Sequence, residues 1–121
     1  MNALRILLVE DDAMVATVLA ELHEMQGHSI CAIAATEADA VAAALRFSPE
    51  MMIVDPLLRS GSGLGAVDRI QGGRNVAHVF VCGDASRMRQ LRPCATVIQK
   101  PYLEHDLTCA MQRALDAAAT A

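Results

Sequence analysis

A chain of 121 residues that is 54% apolar holds enough material for a packed core without staples, and its length predicts one domain spanning residues 1–121. Two Phe, one Tyr and no Trp exclude the stacking platforms of single-strand nucleic-acid binders, and a net charge of −4 with no basic cluster longer than Arg87-Met88-Arg89 excludes a duplex-binding face. Cys31, Cys82, Cys94 and Cys109 form no CxxC pair, the apolar run Ile6-Leu7-Leu8-Val9 near the N-terminus is too short for a signal peptide and no run reaches membrane length, so a reduced cytoplasmic location with no membrane or direct nucleic-acid partner is expected.

Short apolar runs alternate with stretches of helical periodicity. Ile6-Leu7-Leu8-Val9 is the first predicted strand, stopped by Glu10-Asp11-Asp12. Val15, Val18, Leu19, Leu22 and Met25 then recur at three- and four-residue spacing, predicting a helix that ends near Gly27. Ser29 to Ala34 reads as the second strand. Thr36 caps a second helix with apolar positions Ala40, Val41, Ala44, Leu45 and Phe47, stopped by Pro49. Met51 to Val54 is the third strand, ended by Asp55-Pro56, and residues 59–63 form a loop by composition.

Leu64, Val67 and Ile70 mark a third helix ending at Gly72-Gly73. His78 to Cys82 is the fourth strand, Gly83-Asp84 a turn, and Ala85 to Leu91 a weak fourth helix. Val97 to Gln99 is a short fifth strand before Lys100-Pro101, and the last helix runs from about Glu104 to Ala117 before an Ala-rich tail expected to fray. Strands apolar on consecutive residues are buried on both faces, so the five β-α units predict an α/β fold with a doubly wound parallel sheet.

In such a sheet, ligands bind beyond the carboxyl ends of the strands. Strand one delivers Glu10, Asp11 and Asp12 there, strand three Asp55, strand four Cys82 to Asp84, and strand five Lys100. Singly, each has an ordinary reading: Asp12 is a good N-cap, and Asp55 before Pro56 suits a turn. Together they do not. Clustered carboxylates repel by on the order of 1 kcal/mol or more per close pair, a cost a bound cation offsets, and an all-oxygen donor set favours Mg²⁺. A carboxylate beside Mg²⁺ and a lysine can attack phosphorus to form an aspartyl phosphate.

Over essentially its whole length the chain resembles the receiver domains of two-component response regulators. The carriers are Leu7-Leu8-Val9-Glu10-Asp11-Asp12, Ile53-Val54-Asp55-Pro56-Leu57-Leu58 with Gly61 and Gly63, and Lys100-Pro101-Tyr102. The resemblance implies a flavodoxin-like (βα)5 fold with strand order 2-1-3-4-5. It implies that Asp55 is the phosphoacceptor, that Asp11 binds Mg²⁺ directly and Glu10 through water, and that the Leu57 backbone carbonyl is a further ligand. Lys100 would pair with Asp55 or its phosphate, across a cis Lys100-Pro101 bond. Such a domain acts on no separate substrate but catalyses its own Mg²⁺-dependent phosphorylation and dephosphorylation. Its partners would be a sensor histidine kinase or phosphotransfer protein and a downstream protein target, met on the face of strand five and the last helix, and a homodimer stays open.

The departures concern the switch. Cys82 stands where receivers place Thr or Ser (Gly83 if the alignment slips by one), and a thiol is a weak hydrogen-bond donor. Val97 stands where an aromatic is usual, Pro56 directly follows the acceptor, and the segment from Cys82 to Lys100 is short, with Arg92-Pro93 interrupting it. In that segment and its Val-Ile-Gln-Lys-Pro-Tyr ending the chain is most similar to stand-alone receivers paired with HWE-type histidine kinases. The alternative is a pseudo-receiver that binds its partner without being phosphorylated. An aspartyl-phosphate phosphohydrolase is disfavoured because Asp55-Pro56-Leu57 lacks a second Asp, and a nucleotide or flavin site because no Gly-rich loop follows strand one.

Overall fold

The computed structural model describes residues 1–120. It contains ten alternating elements: β1 (Arg5–Val9), α1 (Ala13–Met25), β2 (Ser29–Ala34), α2 (Glu37–Phe47), β3 (Met51–Val54), α3 (Gly63–Gln71), β4 (Ala77–Cys82), α4 (Ala85–Leu91), β5 (Val97–Gln99) and α5 (Glu104–Thr120). All strand pairings are parallel, and the sheet order is β2-β1-β3-β4-β5, the flavodoxin-like order.

The apolar strand runs are buried on both faces because successive side chains point to opposite sides of the sheet. Leu7, Val9, Met52, Val54 and Phe80 pack with Ala40 and Ala44 of α2, Val67 and Ile70 of α3, and Met88 of α4. Their neighbours Ile6, Leu8, Met51, Ile53, Val79 and Val81 pack with Leu19 of α1 and with Leu107, Met111 and Ala114 of α5. The sheet is thereby sandwiched between α2–α4 on one face and α1 and α5 on the other. Strand order reverses between β1 and β3, so their carboxyl ends lie side by side: Leu8 pairs with Ile53 and Val9 with Val54.

The helix starts follow their caps. Asp12 Oδ1 accepts from the N–H groups of Met14 and Val15 at 3.0 and 3.1 Å, Thr36 Oγ1 from Asp39 at 3.1 Å, Ser62 Oγ from Gly65 at 2.9 Å, and Asp84 Oδ1 from Arg87 at 3.0 Å.

Three sequence expectations are corrected. Of the stripe expected to be buried on α1, Val18 and Met25 are 60% and 86% exposed, and the helix buries Ala16, Leu19 and His23 instead. On α2, Leu45 is exposed and the contact is made by Ala40 and Ala44. In both helices alanines pack against the sheet beside part of the expected stripe (Leu19 with Val15 and Leu22 on α1, Val41 on α2), so that stripe is packed along one side and exposed along the other. Finally, α5 continues past Ala117 to Thr120, in keeping with the high helix propensity of Ala. Asn75 Nδ2 donates to the Ala118 carbonyl at 2.8 Å, satisfying one group of that last turn, and Ala121 lies outside the described residues.

Candidate functional site

The parallel ladder ends where the acids begin. Glu10 N–H still donates to Ala34 O and Asp55 N–H to Val9 O, both at 2.9 Å, so each acid is held at the lip of the sheet by its own backbone. Lys100 is placed in the same way, its N–H donating to Cys82 O at 2.8 Å, and the Lys100-Pro101 bond is cis as expected.

Glu10, Asp11 and Asp55 each offer a carboxylate oxygen, all within 4.8 Å of one another. Lys100 Nζ lies 3.5 Å from Asp55 Oδ2 and 3.6 Å from Glu10 Oε1. The other oxygen of Asp55 accepts from the Leu57 N–H at 2.9 Å. Glu10 is buried, and desolvation is the largest influence on it, raising its pKa above the ordinary 4.5. The Asp12 N–H, donating to Oε2 at 3.1 Å, and the Lys100 ammonium pull the other way, while Asp55 and Asp11 add to the rise. Lys100 pairs with two of the three acids and Arg59 with the third, so three carboxylates face two cations in a partly enclosed space. The donors are all oxygen and close enough to share one ion, which fits Mg²⁺.

Asp12 does not join the cluster. It is exposed and serves as the N-cap of α1, and Asp84, at the end of β4, likewise caps α4. Of the acids expected at the strand ends, Glu10, Asp11 and Asp55 are therefore the three brought together.

The loop from Asp55 to α3 is tightly built. Gly63 N–H donates to Pro56 O at 3.0 Å, and Leu57 pairs with Ser62 in an isolated antiparallel bridge. A Cβ on Gly63 would overlap the Asp55 carbonyl oxygen, so only glycine lets α3 begin this close to the end of β3. The Arg59 N–H donates to Asp11 Oδ2 at 2.7 Å, and its Nε lies 3.8 Å from the same oxygen. Sequence reading left Arg59 as an ordinary loop residue.

Beside Asp55 a groove of about 440 Å³ opens towards α4, lined among others by Leu57, Leu64, Cys82, Arg87 and Met88. Burial, with Asp55 and Asp84 adding, raises the Cys82 thiol pKa above 9.0, while the Asp84 N–H opposes this, so the side chain stays a neutral weak donor. Its only hydrogen-bond partner among the described residues is Ile98 O at 3.9 Å. Val97 is buried in the core between the sheet and α2–α4. Helix α4 is short, seven residues, and Arg92 at its end grips Asp68 of α3 with two hydrogen bonds of 2.8 Å. Arg87 was not anticipated from sequence; it faces the groove and makes no ion pair among the described residues.

The switch point of a doubly wound sheet is where a ligand of such a fold would bind, and the acid cluster and lysine there fit the receiver class that the sequence resembles. A scan of protein-family models gives no match, and a search of curated proteins finds no relative. Solved structures do match. The receiver domain of Erythrobacter litoralis PhyR superposes with a TM-score of 0.83 at 28% identity, covering 96% of this chain and 92% of that one. PhyR from Brucella abortus gives 0.87 at 26% identity over 98% of this chain and 50% of that chain. NtrX from Brucella abortus gives 0.82 at 24% identity, a likeness of fold, over 98% of this chain and 28% of that one. The chain thus spans about half the length of the longer PhyR chains. It is a response-regulator receiver domain, a signalling module by class.

Proposed function

We propose that this receiver accepts a phosphoryl group on Asp55 from a phosphohistidine of a sensor kinase or phosphotransfer protein, and signals through protein–protein contact or onward phosphoryl transfer. The observation that carries this is the setting of Asp55: one oxygen is 3.5 Å from the Lys100 ammonium, the other accepts from the Leu57 N–H, and Glu10 and Asp11 stand alongside. An Asp55 oxygen attacks phosphorus, the P–N bond breaks, and the imidazole leaves with the electron pair, giving an acyl phosphate. Lys100 balances charge on the phosphoryl oxygens from one side. Glu10, Asp11, Asp55 and the Leu57 carbonyl would hold Mg²⁺, which when bound neutralises that charge from the other side.

We place the protein in the cytoplasm, where such kinases present their phosphohistidine; no described helix is long and apolar enough to cross a membrane. The short α4 and the residues 97–102 support an HWE-type kinase as the donor. Between β5 and α5, Leu103 is 72% exposed, in keeping with a downstream protein target or a second copy docking on this face.

A second reading, phosphorylation-independent partner binding by a pseudo-receiver, is favoured by one observation, the neutral Cys82 thiol in place of a hydroxyl donor. Incubation with a small phosphodonor and Mg²⁺, read by intact mass, separates the two. We expect the gain of one phosphoryl group in the wild type and none in Asp55→Asn. A wild type that gains nothing, even with its kinase present, leaves only the second reading.

A further inference from the structure

One acidic side chain outside the cluster reaches the loop on which the cluster depends. Glu37, the first residue of α2, lies 25 positions from Ser62 in sequence, yet Ser62 N–H donates to Glu37 Oε1 at 2.9 Å. Its backbone N–H donates to Ser60 O at 3.2 Å, and Arg69 of α3 lies 3.3 Å from Oε2. The carboxylate thus bridges Ser62 on the loop and Arg69 on α3 while the Glu37 backbone holds Ser60, and its side chain is only 24% exposed.

The loop is shaped to receive it. A Cβ at Gly61 would collide with Glu37 Cβ, and a Cβ at Gly65 with Glu37 Oε1. Gly61 also has φ of +75°, a conformation that glycine adopts at little cost. Two glycines therefore vacate the volume that one carboxylate fills.

What the loop carries gives this its consequence. Ser62, held by Glu37, pairs with Leu57, whose N–H holds Asp55 Oδ1 and whose carbonyl is the backbone ligand expected for Mg²⁺. Between them sits Arg59, whose N–H holds Asp11 Oδ2. Two of the three clustered acids are oriented by backbone groups of a loop that Glu37 fastens to α2. The geometry points to Glu37 as a positioning residue for the cation site: it sets Mg²⁺ affinity without touching the ion. This rests on the Mg²⁺ reading proposed above.

The test is Mg²⁺ titration of the full chain, followed by calorimetry and by the amide NMR shifts of residues 57–63. Glu37→Ala should weaken Mg²⁺ binding by about tenfold or more, the usual effect of removing a group that orients a ligand. Gly65→Ala, which drives the carboxylate out from the opposite side, should weaken it similarly and serves if Glu37→Ala does not fold. Glu37→Gln keeps an acceptor for Ser62 and should bind near the wild-type affinity. Ala40→Gly, which loosens the same helix without meeting the loop, should leave the affinity unchanged.

Wild-type Mg²⁺ affinity in Glu37→Ala or Gly65→Ala overturns the assignment while leaving the Mg²⁺ reading intact. So does an equal loss in Ala40→Gly, which would mean general loosening. A wild type that shows no Mg²⁺ binding removes the cation reading itself, and this assignment with it.

Discussion

His23 shows how far a single residue can depart from what its neighbours in sequence suggest. It is fully buried, and neither ring nitrogen has a hydrogen-bond partner among the described residues. Desolvation lowers its pKa from 6.5 to about 4, and His28, with its ring centroid 6.0 Å away, adds to the fall. The unfolded chain therefore takes up a proton near pH 6.5, whereas the folded one does so only near pH 4. Stability contributed by the neutral ring is complete above that window and is lost as pH falls through it, by roughly 3 kcal/mol in all. The pKa of His28 is also lowered by burial, and it acts in the same direction. Replacing His23 by Leu should flatten this slope and, by removing two unmet polar atoms, raise stability at pH 7.5 by roughly 1 kcal/mol. Urea unfolding at pH 7.5 and pH 5 checks both; an unchanged slope would assign the acid sensitivity to other groups.

At the level of elements, the strands were legible and the helix faces were not. A strand buried on both sides must be apolar throughout, so Met51 to Val54 could be placed to the residue. A helix that packs through alanines hides its buried face behind exposed Val18, Met25 and Leu45. The β3–α3 loop was readable only in part. Its glycines marked a turn, but what each glycine makes room for is a contact across the fold: the Asp55 carbonyl for Gly63, and Glu37 for Gly61 and Gly65. Nothing local in sequence announces a partner 25 residues away. Gly63→Ala tests the tightest of these approaches. The added methyl must displace the Asp55 backbone or the first turn of α3, since Val54 Cγ1 closes the remaining side at 2.7 Å. We expect a loss of about 1–3 kcal/mol, the usual cost of overpacking. Because the displaced group is the carbonyl of Asp55 itself, the phosphorylation proposed for Asp55 should slow in the same variant. Thermal unfolding and the intact-mass assay read the two effects separately, and a variant unaffected in both would mean the loop yields more easily than its packing implies.

For the whole molecule, the proposed phosphorylation raises the question of how a charge added at Asp55 would reach a surface. The chemistry at the strand ends was visible in sequence because acids and a lysine follow apolar runs; Asp12 misled because only cap geometry decides which of two adjacent carboxylates turns outward. The route away from the site depends on packing, and the structure lays it out. Lys100 N–H binds Cys82 O, Ala85 N–H binds Gln99 Oε1 at 3.1 Å, and Arg92 ties the far end of α4 to Asp68, whose pKa that guanidinium holds below 3.8. Strand β5 and helix α4 are therefore fastened at both ends, while at the centre Cys82 offers a thiol occupied only by a long contact to Ile98 O. A hydroxyl there could donate to a phosphoryl oxygen, a charged acceptor for which a hydrogen bond contributes about 1.5–3 kcal/mol, whereas the thiol supplies much less. Cys82→Thr should therefore strengthen the coupling between site and α4. With beryllofluoride and Mg²⁺ as the phosphoryl mimic, we expect wild-type amide shifts concentrated near residues 55–63, and in Cys82→Thr larger shifts extending through residues 83–99. Thr suits a buried strand, so the substitution should preserve the fold. Identical shift patterns in the two proteins would mean that the missing hydroxyl does not limit the response, and that the fastening of α4 by Gln99 and Asp68 does.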